Sequence, residues 1–239
     1  MESNIKPYDV ANSAKRIDAI LALSNDLLEE SNTIPKREKL TYTNGFYVNC
    51  TALFADIRGS TDLTDAHRRP RLAKLYRSFL SETVALVNSN EHCAEVNIIG
   101  DCVSAIFDTP YKSGIESVFS TAAKLAVLVK ILNYKLDKAG IQQIQVGIGM
   151  AYGRALMIQA GLTGTGINDV VWMGDVVNSA SNLSAKAYEN GTGPIVVSNV
   201  VYSNLNEHSQ SLLRSRFGGG YSGDFVDVGM NEWYKANCT

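Results

Sequence analysis

Two aspartates stand where apolar runs give way to turn-forming residues. Asp56 closes the run Ala52-Leu53-Phe54-Ala55 and precedes Ile57-Arg58-Gly59-Ser60-Thr61, while Asp101 follows Ile99-Gly100. A carboxylate at the end of one strand can meet another across neighbouring strands, and hard oxygen ligands of this kind hold Mg²⁺ or Mn²⁺ on substrate phosphates. Two such ions about 4 Å apart can activate a hydroxyl and neutralise charge developing on a phosphorus centre. Each aspartate also has a plainer role open to it, Asp56 as a helix cap and Asp101 as a turn residue.

The elements that would position this pair can be read from periodicity. Phe46 to Ile57 is rich in aromatic and β-favouring residues and predicts a strand, and the glycine and hydroxyl residues after Asp56 signal a turn into a helix over about 61–88. Residues 95–99 and 102–107 predict two strands joined tightly at Gly100-Asp101, which puts Asp101 in a hairpin turn. Helical spacing of Val118, Phe119, Ala122, Leu125, Ala126, Val129, Leu132 and Leu136 predicts a helix over 116–139, stopped by Gly140. Further along come a strand over 145–152, a glycine-rich loop over 161–168, a short strand over 170–173 and a helix over 174–187. A strand over 194–198, a short helix over 198–205 and a last strand over 225–234 complete the chain. At the front, 8–31 reads as an amphipathic helix carrying Ile17, Ile20, Leu21, Leu27 and Leu28, and Pro35 to Lys39 as a connector. The expected division is 1–39 for the helix and connector and 40–239 for the catalytic domain. Strands and hairpins alternating with helices predict an α+β fold, a mostly antiparallel sheet covered by helices.

Composition narrows the partners. The chain has 239 residues, 45% hydrophobic and 19% charged, ordinary globular values. A net charge of -2 offers no basic field for a long polyanion, so nucleic-acid binding is disfavoured. No apolar run approaches the roughly 20 residues of a membrane-spanning helix. Cys50, Cys93, Cys102 and Cys238 form no CxxC pair and nothing upstream looks like a signal peptide, which points to reduced thiols and a cytoplasmic protein.

Phe54-Ala55-Asp56-Ile57-Arg58-Gly59-Ser60-Thr61 resembles the first metal motif of the class III adenylate and guanylate cyclases, and Ile99-Gly100-Asp101 resembles the second. Val146-Gly147-Ile148-Gly149 with Gly153 is similar to that family's central strand, and Gly174-Asp175-Val176-Val177-Asn178-Ser179-Ala180-Ser181 to its asparagine-bearing segment. The four matches fall in order between about Phe46 and Val201. The resemblance implies a ferredoxin-like palm core in which Asp56, Asp101 and the Ile57 carbonyl hold two Mg²⁺ or Mn²⁺ ions. The backbone from Arg58 through Gly59 and Ser60 to Thr61 would cradle the triphosphate, a role suited to a helix N-terminus. Asn178 would orient the ribose and transferring phosphate from the second subunit of a homodimer with shared active sites.

The sequence departs from that pattern in two places. Four residues after the asparagine the family usually has an arginine that stabilises the transition state; here stands Asn182, and loss of such a cation costs several kcal/mol. Lys186, four residues further, is the candidate substitute, with an exposed solvated lysine as the alternative; Arg58, Arg154 and Arg216 are weaker candidates. The base-selecting positions are Asn97 and Val171, which match neither the adenylate nor the guanylate pair. Asn97 both donates and accepts, which suits uracil or cytosine as well as a purine. Tyr47, Cys50 or Trp172 could narrow a pocket against purines, although aromatics near strand centres usually belong to a core.

Without a purine code, and with an N-terminal helix, the chain is similar to the pyrimidine cyclases of bacterial anti-phage signalling. That likeness implies UTP, then CTP, then ATP as substrate, and a cyclic nucleotide read by a separate effector. Two alternatives stay open: an adenylate or guanylate cyclase with an atypical base pocket, and a degenerate nucleotide-binding signalling domain.

Overall fold

The computed structural model describes residues 7–61, 63, 69–164 and 167–238, with the backbone alone for residue 167. Its contacts divide the chain into two units, Met1–Asn49 with Arg154–Gly174 and Cys50–Gly153 with Asp175–Thr239.

The larger unit is organised by β2 (Gly45–Ile57, from Cys50 onward), β3 (Cys93–Ile99), β4 (Cys102–Asp108), β5 (Val146–Leu162, up to Gly153), β7 (Ile195–Val197), β8 (Arg214–Ser215) and β9 (Tyr221–Gly223). The strand order is β3-β4-β2-β5-β7-β9-β8. β2 runs antiparallel to β4, as does β3, and β7 and β8 run antiparallel to β9, while β5 and β7 are parallel. The expected mostly antiparallel α+β sheet is what the chain forms.

Alternation along the strands gives this sheet two different faces. Leu53, Ala55 and Ile57 of β2, Val103, Ala105 and Phe107 of β4, and Val146, Ile148 and Met150 of β5 join one core with Leu75, Phe79 and Val87 of α2 (Arg69–Asn88) and Val118, Ala122, Leu125 and Leu136 of α3 (Lys112–Lys138). The intervening residues point the other way: Ala52, Phe54 and Asp56 on β2, and Gly147 and Gly149 on β5. On that side lies α4 (Asp175–Ala185). A Cβ on Gly147 would sit 2.2 Å from the Ser184 carbonyl oxygen, and one on Gly149 only 2.1 Å from that of Ala180. These two positions admit no side chain, because helix backbone occupies the space a methyl group would need.

The smaller unit pairs the ends of the same long strands with short ones. β1 (Leu28–Glu30) runs parallel to Gly45–Tyr47, and β6 (Ile167–Met173) runs antiparallel to 156–162 of β5. Leu40, Phe46, Val48 and Met157 are its buried centre, with Ile34, Val170 and Trp172 packed against them. Arg37 bridges to Asp169 at 2.8 Å, and Arg154 pairs with Glu30 while lying over the Tyr47 ring, 3.8 Å from its centroid.

The expected N-terminal helix stops early. α1 spans Val10–Leu21, begun by Asp9 accepting the Asn12 N–H, and Leu28 to Glu30, expected as its last turn, form β1 instead. Ser24 caps an intervening helical turn that redirects the chain, so Leu27 and Leu28 never continue the stripe. α1 buries no residue, and Ile17, Ile20 and Leu21 are exposed.

The expected loop over 161–168 is shorter among the described residues: β5 continues to Leu162, residues 163 and 164 form a turn and β6 begins at Ile167, with residues 165 and 166 outside the described set. The expected final strand over 225–234 is overturned. Asp227 accepts the Met230 N–H at 2.8 Å and starts α7 (Val228–Asn237), so this capping aspartate outweighs the β-branched valines on either side of it. The helices α5 (Asn199–Asn204) and α6 (Glu207–Ser211) lead into the β8–β9 hairpin, whose turn is Gly218-Gly219-Gly220, all at positive φ. Residues 62 and 64–68 of the expected helix over 61–88 lie outside the described set; Ser60, Thr61 and Leu63 are helical. Among the described residues, no helix is long and apolar enough to cross a membrane.

The close approach of α4 to β5 yields a direct test. Gly149→Ala should lower stability by about 1–3 kcal/mol, the usual cost of overpacking, read as a lower thermal midpoint. An unchanged midpoint would mean that α4 does not rest on Gly149.

Candidate active site

β2 delivers Asp56 to the end of the sheet, and the β3–β4 hairpin delivers Asp101 beside it. The register sets Asp56 opposite Cys102 on β4, and Cys102 opposite Ile99 on β3, so the row Asp56-Cys102-Ile99 lies next to the Gly100-Asp101 turn. Gly100 takes φ +63°, which glycine reaches without strain, and so allows the tight reversal that presents Asp101. Both aspartates are half-buried.

At this separation the charge of one bears on the other. Burial and then the Asp101 charge push the Asp56 carboxyl above its ordinary value, and only Arg58 pulls the other way. The field of the pair reaches its neighbours: burial, then Asp56 and Asp101, push the Cys102 thiol up to about 12. The Tyr76 hydroxyl on α2 is raised by burial, Asp101 and Asp56. Cys102 and Tyr76 were not anticipated, and the only sequence signal for Cys102 was its adjacency to Asp101.

Two like charges held together call for a cation, and two carboxylates suit a hard divalent one. Among the described residues no cluster of three or more His, Cys, Asp or Glu could hold a metal ion. Further oxygen ligands would therefore come from backbone, such as the Ile57 carbonyl, or from substrate.

After Asp56 the chain turns sharply, with Gly59 at φ +65° and helical conformation from Ser60. The Arg58 N–H donates to the Gln145 carbonyl at 2.8 Å, tying this turn to the start of β5. The Arg58 side chain reaches Glu189 at 3.5 Å across a cavity of about 550 Å³ that also meets Gln143 and Tyr188. Arg58 thus divides its charge between Glu189 and the Asp56 field.

Asn97 occupies the next row of the same sheet face, opposite Ser104, which is itself opposite Phe54. Its Nδ2 donates to Glu95 Oε1 at 2.9 Å. Glu95, nearly buried two residues earlier on the same face of β3, was missed; period-two alternation was the signal that could have found it. Val171 belongs to the smaller unit, opposite Ile158 and partly exposed.

Asn178 and Asn182 lie on exposed turns of α4, and neither side chain is hydrogen-bonded among the described residues. Lys186 was expected on a continuing helix, but α4 ends at Ala185 and Lys186 starts the turn that follows, where its carbonyl accepts from the Thr192 hydroxyl. It is half-buried and has no ion-pair partner among the described residues. Arg154 is engaged by Glu30 and Tyr47, and Arg216 donates to the Gly219 carbonyl in its own hairpin. Of the residues that could narrow a pocket, Cys50 is fully buried and Trp172 packs against the small core, while Tyr47 lies under Arg154.

Comparison with known proteins gives a consistent set of relatives. The model of the adenylate and guanylate cyclase catalytic domain matches residues 43–218. A uridylate cyclase of Gulbenkiania mobilis is 43% identical, over 99% of this chain and 100% of its own length. A uridylate cyclase of Treponema porcinum is 40% identical, over 96% of this chain and 82% of its own. Among solved structures, the adenylyl cyclase CyaB from P. aeruginosa superimposes with a TM-score of 0.65 at 21% identity, covering 77% of this chain and 98% of that one.

The raised Asp56 value carries a pH prediction. A carboxyl whose folded-state value lies above its unfolded one stabilises the fold fully below the ordinary carboxylate value, and that contribution is lost as pH rises through the raised one. In metal-free buffer Asp101→Asn should therefore melt higher than the parent at neutral pH, the difference shrinking as pH falls into the carboxylate range. A pH-independent difference would show that the two carboxylates do not repel.

Proposed function

The chain belongs to the adenylate and guanylate cyclase catalytic-domain family and is a nucleotide cyclase, a phosphorus-oxygen lyase; we propose that it closes UTP, and CTP second, into the 3′,5′-cyclic monophosphate. The observation that carries the site is the pair Asp56 and Asp101, brought within each other's field at the tip of the β3–β4 hairpin. The preference for a pyrimidine is supported by the two uridylate cyclases at 43% and 40% identity, and by Asn97 and Val171 in place of either purine code.

In this scheme the ribose 3′ oxygen bonds to the α-phosphorus, the bond from that phosphorus to the leaving pyrophosphate oxygen breaks, and the 3′ hydroxyl proton passes to solvent water. The Asp56 and Asp101 carboxylates with the Ile57 carbonyl would hold two Mg²⁺ or Mn²⁺ ions, whose charge lowers the acidity barrier of the hydroxyl and offsets that of the phosphates. The turn from Arg58 through Gly59 and Ser60 to Thr61 leads into a helix N-terminus, a setting suited to phosphate oxygens, with the Arg58 N–H itself held by the Gln145 carbonyl. Asn97 meets the edge of the base, and Val171 stands at the family's second base-selecting position.

Asn178 orients the ribose and α-phosphate from the second subunit of a homodimer, consistent with its exposed, unengaged amide on α4. Lys186 supplies the transition-state charge that Asn182 cannot, its ammonium having no competing carboxylate among the described residues. Residues 40–239 act as the catalytic domain, and a separate effector reads the cyclic product in antiviral signalling inside the cell.

The purified protein incubated with ATP, GTP, CTP and UTP in turn, with Mn²⁺ and then Mg²⁺, should yield cyclic UMP as the main product by mass spectrometry. Cyclic AMP or cyclic GMP would overturn the base assignment. Asp56→Ala and Asp101→Ala should each abolish pyrophosphate release without lowering the thermal midpoint. Lys186→Ala should reduce kcat by about 100-fold, the order expected when one charge-stabilising group is removed; full activity would return Lys186 to an ordinary surface role.

A further inference from the structure

The contact between Asn97 and Glu95 fixes more than the position of a side chain. Asn97 Nδ2 donates to Glu95 Oε1 at 2.9 Å, and Glu95 is only 9% exposed. An ionised carboxylate only accepts hydrogen bonds, whereas a carboxamide accepts at one end and donates at the other. Turning the Asn97 amide over would set its oxygen against the Glu95 oxygen, acceptor against acceptor, and leave a nearly buried carboxylate without this donor. One orientation of Asn97 is therefore held, with its nitrogen toward Glu95 and its Oδ1 turned away.

The two pyrimidines differ in what such an oxygen can meet. Uracil carries an N–H donor at ring position 3, between two carbonyl acceptors. Cytosine carries a bare acceptor nitrogen at position 3 and an amino donor at position 4. A carbonyl oxygen held in one place accepts from uracil N3–H, but at the same place it opposes the cytosine N3 lone pair.

We propose that Glu95 is the positioning residue that selects uracil over cytosine, by locking the Asn97 amide with its carbonyl toward the base. This rests on the assignment of Asn97 to the base pocket made above. Glu95 touches no substrate; it acts through Asn97. The selection is steep because the rejected base leaves a buried polar group facing another of the same kind, the situation in which hydrogen-bonding sites discriminate most strongly.

The test is the ratio of kcat/KM for UTP to that for CTP. Glu95→Gln keeps the shape but can donate or accept, so it frees the Asn97 amide to turn. The ratio should fall by about tenfold or more, through improved use of CTP as well as weaker use of UTP. Asn97→Leu removes the oriented carbonyl and should lower the same ratio, and adding Glu95→Gln to it should lower it no further, as expected for residues acting through one contact.

A purely structural role for Glu95 would reduce turnover of both nucleotides alike. An E95Q ratio equal to that of a UTP-preferring parent overturns the proposal and leaves the pyrimidine assignment standing. So does an E95Q effect that persists undiminished in the Asn97→Leu background. If E95Q does not fold, the Asn97→Leu ratio decides alone, an unchanged value being fatal to the proposal. A parent enzyme that makes only cyclic AMP or GMP overturns this proposal and the assignment of Asn97 to a pyrimidine together.

Discussion

Two carboxylates of like charge held side by side are the constraint to which the rest of the larger unit answers. Left to themselves Asp56 and Asp101 would separate, and Asp56 shows the cost in a carboxyl pushed above its ordinary range by burial and by its neighbour. They stay together because neither belongs to a free loop. Asp56 is the last but one residue of a thirteen-residue strand, and Asp101 sits in a turn closed by the antiparallel pairing of β3 and β4. The hydrogen-bond ladders of β2, β3 and β4 supply what opposes the repulsion. An arrangement that stores such repulsion is poised for a divalent cation, whose binding adds to fold stability as well as to chemistry.

The sheet can do this because its faces have separate work. Odd residues of β2 enter the core under α2 and α3, and even residues, Asp56 among them, look the other way. On that second face α4 lies against β5 at glycine contact distance, so Asn178 stands on a helix whose height above the sheet is set by backbone touching backbone rather than by adaptable side chains. Such contacts leave little play. If Asn178 has the proposed role at the phosphate, a position fixed to within a fraction of an ångström is better secured on that mounting than on a loop.

The sequence made some of this legible for identifiable reasons. Asp56 and Asp101 were recognisable because each follows a strong apolar run and sits in a glycine-marked turn, so local chemistry and tertiary position agreed. The glycines of Val146-Gly147-Ile148-Gly149 were visible as a pattern, but their physical cause, the Ala180 and Ser184 backbone above them, is a long-range contact that no window of sequence contains. The tail over 225–234 misled because Val226 and Val228 argue for a strand locally, whereas the cap at Asp227 decides for a helix. Leu27 and Leu28 continued a helical stripe on paper, yet a parallel partner at Gly45–Tyr47 took Leu28–Glu30 into the sheet. Glu95 escaped notice because its weight comes from burial and from its contact with Asn97, neither of which is written in residue type.

The position after Asn178 joins these threads. An arginine at Asn182 would extend from the same helix as Asn178, at a height fixed by Gly147 and Gly149. Lys186 begins where that helix has already ended, so its ammonium reaches from a turn braced by the Thr192 hydroxyl on its carbonyl. A lysine is also a point charge rather than a planar fork, and cannot hold two phosphate oxygens in one fixed geometry. A cation on a turn relies more on its own reach than one on a rigid helix, and loses more entropy on engaging. Two of the other candidate cations are already committed, Arg58 to Glu189 and the Asp56 field and Arg154 to Glu30 and Tyr47. If Lys186 serves as the proposed cation, charge compensation falls on a half-buried lysine that has no ion-pair partner among the described residues, which leaves its charge available to a phosphate.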